Sequence, residues 1–108
     1  MYIRRKVYSY KWPVNVRFPT DGGVYKSETF TATFCRMKKQ ELESLDEIGD
    51  DVFLDKILLG WEDINDEDGK PVVCSKSNKA ELMEDPYWRR SVIEAYFASY
   101  NEASAKNS

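Results

Sequence analysis

Histidine is absent from this 108-residue chain, and cysteine occurs only twice, as Cys35 and Cys74. Without an imidazole the chain cannot form a Ser-His or Cys-His nucleophile pair, or the ligand sets of most zinc, copper and non-haem iron sites. The two cysteines lie far apart and form no Cys-x-x-Cys pair, which predicts two buried thiols in a reducing compartment. A single disulfide between them stays open as the alternative.

Long apolar runs are also absent. No run approaches the roughly 20 residues that span a bilayer, and residues 1–11 lack the continuous apolar stretch of a secretory leader. We therefore expect a cytoplasmic protein without membrane contact. A hydrophobic content of 42% and an aromatic content of 14% are typical of a folded domain. We predict one domain over residues 1–101, followed by a small, polar, flexible tail over residues 102–108.

Charge is unevenly distributed along the chain. Residues 1–26 contain six basic residues and one acidic residue, whereas residues 41–68 contain twelve acidic residues and one basic residue. Basic residues interleaved with aromatic rings near the N-terminus can contact nucleic acid, but the acidic segment would repel it, so we favour a half-exposed strand. The charge pattern also allows head-to-tail self-association, in which the basic face of one copy meets the acidic segment of the next.

The residue periodicity predicts an α+β fold. An N-terminal three-stranded antiparallel sheet, rich in hairpins, is expected in residues 1–36, and three or four short helices in residues 38–101. Asp-Gly and Gly-Gly supply the positive φ values of a tight turn at residues 19–23. The predicted strands are Ile3–Tyr10, ended by Trp12-Pro13, then Val14–Phe18 and Glu28–Phe34.

Helical periodicity begins after Arg36. Apolar residues at Leu42, Leu45 and Ile48 predict a short helix that ends at Gly49, and Asp50 is expected to cap a second helix that ends at Gly60. Asn78 and Glu81 resemble the capping box of a third helix. The last helix has the clearest start, with Asp85 as its cap and Pro86 at its first position. Its apolar stripe consists of Val92, Ile93, Tyr96, Phe97 and Tyr100.

No catalytic, cofactor-binding or metal-binding residue is predicted. The acidic run at residues 63–69 suggests calcium, but with Gly69 at position six of an EF-hand loop, Ile64 falls where an oxygen ligand is required. We interpret the run as a solvated turn. Large rings near element boundaries usually fill the core, although aromatic anchors also dominate interfaces. The candidate partner-facing residues are Arg4, Arg5, Lys6, Trp12, Trp61, Tyr87, Trp88 and Tyr96.

Two ordered blocks of residues resemble a known family. The first block is Trp12-Pro13-Val14, Val16-Arg17, Asp21-Gly22-Gly23, Tyr25 and Thr29-Phe30-Thr31-Ala32. The second block is Ile57-Leu58-Leu59-Gly60-Trp61, Asp66-Glu67, Gly69, Pro71 and Ala95-Tyr96-Phe97. In this order they are similar to the tail assembly chaperones of long-tailed bacteriophages and prophages, and the resemblance covers about residues 7–99.

The resemblance implies a non-enzymatic chaperone that binds the tape measure protein, recruits major tail tube subunits during tail morphogenesis and is absent from the finished virion. Many members of the family also have a longer product made by programmed frameshifting. Codons for Ala105-Lys106-Asn107 are a candidate slippery site, which the nucleotide sequence would test. Two other functions stay open: a structural tail component retained in the virion, and a nucleic-acid-binding phage regulator that uses the basic arm. An enzyme that uses carboxylates alone comes last.

Overall fold

A long β-hairpin forms the N-terminal half of the protein. The computed structural model describes residues 1–6 and 8–101, so the predicted flexible tail over residues 102–108 lies outside the described residues. Strand β1 (Ser9–Pro19) pairs antiparallel with strand β2 (Tyr25–Cys35) along their whole length. The predicted turn between them is confirmed. It is a short 3-10 segment in which Gly22 has a φ of 78° and Gly23 of 76°, values that glycine adopts without steric cost.

The third strand comes from the segment around Gly60, where the second helix was predicted to end. Strand β3 (Leu58–Glu62) pairs antiparallel with β2, with Trp61 opposite Ala32, and the sheet order is β1-β2-β3. The predicted α+β class, with a three-stranded antiparallel sheet and following helices, is confirmed. The positions of the strands differ, however, because β3 lies inside the part of the chain, residues 38–101, that was expected to be helical.

The first two predicted strands merge into one. Of the predicted strand Ile3–Tyr10 only Ser9 and Tyr10 lie in β1, and Pro13 does not end it. Proline lacks an N–H donor, but β1 is an edge strand with a free side, where a missing donor costs nothing. The expectation that Trp12-Pro13 terminates a strand was therefore wrong.

The helices are short except for the last one. Their bounds are α1, Lys39–Glu43; α2, Leu45–Ile48; α3, Asp50–Ile57; α4, Lys76–Met83; and α5, Pro86–Tyr100. The start of α5 is as predicted, since the Asp85 carboxylate accepts a hydrogen bond from the Tyr87 N–H and Pro86 is the first helical residue. Two predicted caps were wrong. Gly49 rather than Asp50 is at the cap position of α3, and Ser75 rather than Asn78 caps α4.

The core lies between the sheet and α5. Val14, Phe34 and Val92 are fully buried within it, and α3 closes its side through Leu54 and Ile57. Aromatic rings meet edge to face there, with 5.2 Å between the ring centroids of Phe34 and Tyr96, a geometry that ring quadrupoles favour. No helix in residues 1–6 and 8–101 combines the length and the apolarity needed to cross a membrane.

Both cysteines are free thiols, although they were predicted to be buried. Cys35 is half-buried at the end of β2, and Cys74 is exposed. The expectation for Cys74 was wrong because the irregular segment between β3 and α4 lies on the surface, where the neighbouring Val73 is also exposed.

Candidate interaction surfaces

Three of the rings proposed as partner-facing lie in the core. Trp61, Trp88 and Tyr96 are only 9%, 4% and 2% exposed. The Trp61 indole N–H donates to the Val72 carbonyl at 2.7 Å, and the Trp88 ring stacks on Phe30 with 6.0 Å between centroids. Because these rings fill the space between the sheet and α5, they cannot contact a partner of the folded chain. Their assignment as partner-facing residues was wrong.

Tyr96 ties the end of β2 to α5. Its hydroxyl donates to the Cys35 carbonyl and accepts from the Met37 N–H, both at 3.1 Å. Burial raises the pKa of Tyr96 to about 12, because a phenolate would lose its hydration there. Tyr96 is therefore a neutral structural residue at physiological pH.

Trp12 and Tyr87 are half-buried, and Trp12 lines a groove between the free edge of β1 and helix α5. This β1–α5 groove has a volume of about 660 Å³. Small residues of α5, Ala95 and Ala98, lie along it. Its other lining residues are Pro13, Asn15, Arg17, Tyr25, Arg90, Ser91 and Glu94. The groove combines apolar surface with two cations and one anion.

The three N-terminal basic residues Arg4, Arg5 and Lys6 are exposed and lie together in a second groove. This basic groove has a volume of about 930 Å³. Its other lining residues are Tyr8, Cys35, Arg36, Met37, Lys38 and Glu41. Five cations and one carboxylate therefore surround it, so that its potential is strongly positive.

Arg36 of the basic groove contacts two tyrosine side chains. Its guanidinium lies 4.1 Å from the centroid of the Tyr8 ring, a cation–π contact. It also donates to the Tyr2 hydroxyl at 2.9 Å, a hydrogen bond that raises the pKa of Arg36. These contacts leave further guanidinium N–H groups for a ligand, because arginine carries five donors.

The cations of the basic groove are not paired with carboxylates of the described residues. Within residues 1–6 and 8–101, none of the five makes a salt bridge to a carboxylate. Glu41 is already engaged, since it accepts from the Lys38 N–H at 3.1 Å and pairs with Lys56 at 3.3 Å. The hydrogen bond from the Lys38 N–H, and to a smaller extent the contact with Lys56, lower the pKa of Glu41. The groove therefore has an unbalanced positive charge.

Arg36 and Lys38 were missed by the sequence analysis. They directly follow β2, whose end pairs with the start of β1, and the Arg36 N–H donates to the Tyr8 carbonyl at 3.1 Å. A hairpin brings the basic residues before its first strand next to those after its second. The sequence contains both groups of basic residues. Because the first strand was predicted to begin at Ile3 rather than at Ser9, the residues before it were not expected to lie beside Arg36 and Lys38.

A separate surface element concentrates negative charge. Residues 64–72 form a hairpin-like loop, in which the Val72 N–H donates to the Ile64 carbonyl at 2.7 Å. The Asp66 carboxylate accepts from the Asp68 and Lys70 N–H groups, each at 2.9 Å. Glu67 and Asp68 at the tip of this acidic hairpin are exposed. Among the described residues, no group of three or more histidine, cysteine or acidic side chains could hold a metal ion.

No protein-family model matches this sequence. Neither the curated proteins nor the solved structures include a significantly similar chain.

Proposed function

We propose that this chain is a non-enzymatic tail assembly chaperone of a long-tailed phage or prophage, which acts in the cytoplasm of the bacterial host. Its proposed partners are the tape measure protein and the major tail tube protein. The proposal starts from the two ordered blocks of residues that resemble this family, and its main structural support is the pairing of those blocks.

The two blocks meet in one sheet. The first block supplies β1 and β2, and the second supplies β3, in which Trp61 lies opposite Ala32. The last part of the second block, Ala95-Tyr96-Phe97, lies on α5, where Tyr96 packs against Phe34. Residues that are distant in sequence but share a family pattern thus build one packed unit. Scattered turn motifs that matched by accident would not be expected to pair in this way.

The β1–α5 groove is the surface proposed for the tape measure protein. A long partner needs an open groove rather than a closed pocket, and the small side chains of Ala95 and Ala98 leave room for a helix to approach. Arg17 on β1, together with Arg90 and Glu94 on α5, can pair with charges of both signs on such a helix. Chaperone action then consists of covering a surface of the partner until tube subunits replace it.

Co-purification tests this function. The tagged chain is co-expressed with the long reading frame expected beside its gene, and we expect the two products to elute together. Ala98→Trp, which fills the groove, should reduce the recovered partner about tenfold or more, while Tyr100→Ala, an exposed change on the same helix, should leave it unchanged. Failure of the wild-type chain to retain the long protein would contradict the proposal. Detection of the chain in purified particles would favour a structural tail component instead.

A further inference from the structure

The basic groove has an excess of positive charge. Five cations line it, and in the described part of the chain none of them pairs with a carboxylate. Like charges held together repel one another, so a ligand that brings negative charge gains binding energy from each of them. Arg36, held by Tyr2 and Tyr8, supplies donors in a fixed position.

The acidic hairpin has the complementary charge and a defined shape. Glu67 and Asp68 are exposed at its tip and make no salt bridge among the described residues. The backbone bonds that close the loop, together with those to the Asp66 carboxylate, fix its conformation. Little conformational entropy would therefore be lost when it binds.

The basic groove and the acidic hairpin lie toward opposite ends of the sheet. The groove lies beyond Cys35, where the β1–β2 ladder ends. Strand β3 runs from Leu58, opposite Phe34, to Glu62, opposite Thr31, and so leads away from the groove before the hairpin begins. Thr31 alone is about 13 Å from Cys35 along an extended strand. The hairpin of one copy therefore cannot occupy the groove of the same copy.

We propose that the acidic hairpin of one copy docks in the basic groove of the next. The two surfaces are different, so the contact is heterologous, and each copy keeps one free groove and one free hairpin for further copies. The product is a head-to-tail chain of subunits. This inference concerns the protein alone, and it can hold or fail whether or not the tape measure protein is its partner.

Two neutralised variants test the interface by complementation. The groove variant carries Arg4→Gln and Lys6→Gln, whose side chains make no hydrogen bond or salt bridge to any residue that the structure describes. The hairpin variant carries Glu67→Gln and Asp68→Asn. In sedimentation velocity at low salt, wild type should form concentration-dependent oligomers of the 12.6 kDa subunit. Each variant alone should associate about tenfold or more weakly. An equimolar mixture should form a capped pair of two subunits and nothing larger, because only one intact groove and one intact hairpin can meet.

A matched control and the outcomes below decide the proposal. The control variant, Lys76→Gln and Glu81→Gln, removes one exposed charge of each sign elsewhere and should associate like wild type. Wild-type protein that stays monomeric at low salt would overturn the inference, and so would variants that associate like the control or a mixture that yields no pair. Tight binding of a single-stranded oligonucleotide that is lost only in the groove variant would assign the groove to nucleic acid instead. Raising salt from about 0.1 M to about 1 M shortens the screening length to roughly 3 Å and should dissociate the oligomers.

Discussion

Removal of the Tyr96 hydroxyl is expected to destabilise the fold by about 2 kcal/mol. Tyr96→Phe keeps the ring and its contacts with Phe34 and Phe53, but it leaves the Met37 N–H and the Cys35 carbonyl without their partner. An unsatisfied buried group costs about 1–3 kcal/mol. Both groups belong to half-buried residues, so we use about 1 kcal/mol for each, near the lower limit of that range.

Urea denaturation followed by tryptophan fluorescence measures this effect. For a domain of this size, about 2 kcal/mol corresponds to a fall in Tm of roughly 10 °C. Tyr100→Phe is the matched control, because Tyr100 is 65% exposed and its change should cost less than about 0.5 kcal/mol. If Tyr96→Phe also stays within about 0.5 kcal/mol of wild type, the hydroxyl does not tie β2 to α5 as we argue.

The Tyr96 hydroxyl should also make the stability of the fold depend on pH. The pKa of Tyr96 is about 12 in the folded state, compared with an ordinary value of 10.0. The folded state therefore holds this proton more tightly, and the associated stability is complete below pH 10 and is lost as the pH rises toward 12. Phenylalanine has no such proton. The stability difference between wild type and Tyr96→Phe should therefore shrink above pH 10, and a difference that is constant up to pH 12 would refute the assigned cause.

Two further predictions concern a buried hydrogen bond and a helix cap. In urea denaturation, Trp61→Phe should destabilise the protein by about 1–2 kcal/mol more than Trp88→Phe. The Trp61 N–H donates to the Val72 carbonyl, whereas the buried Trp88 N–H has no partner among the described residues. Equal losses of stability in the two variants would contradict this. Asp85→Ala should cost about 1 kcal/mol through loss of the cap on α5, and Asp85→Asn should restore most of it.

Local chemistry determined which elements could be predicted. Alternation in β2, the double-glycine turn and the Asp85-Pro86 start of α5 each depend on a few neighbouring residues, and the structure contains all three. Strand β3 depends on something else. Leu58 and Trp61 fit the spacing of a helix as well as they fit this bulged strand, and both are buried in the structure. The unpaired edge of β2 decides between them, because its backbone groups need partners, and periodicity alone does not contain that information.

In the candidate site, too, some features follow from neighbouring residues and others only from the tertiary structure. The sequence identified Arg4, Arg5 and Lys6 as a basic arm. The basic groove that they share with Arg36 and Lys38 forms only because β1 and β2 pair. The aromatic candidates were less informative. A large ring beside a glycine or at a helix start satisfies the pattern of a core residue and of an interface anchor equally well, and only tertiary packing separates the two.

The net charge of a segment is a poor guide to the charge that its surface offers. Residues 41–68 contain twelve acidic residues, and among the side chains that the structure describes five of these pair with basic residues, four of which lie outside that segment. Most of the side chains in these pairs are solvent-exposed, so the pairs contribute little to stability. Their larger effect is on where unpaired charge remains. Among the described residues, the exposed carboxylates at the tip of the acidic hairpin and the cations of the basic groove stay outside these pairs, and these are the two surfaces at which we propose that charge steers association.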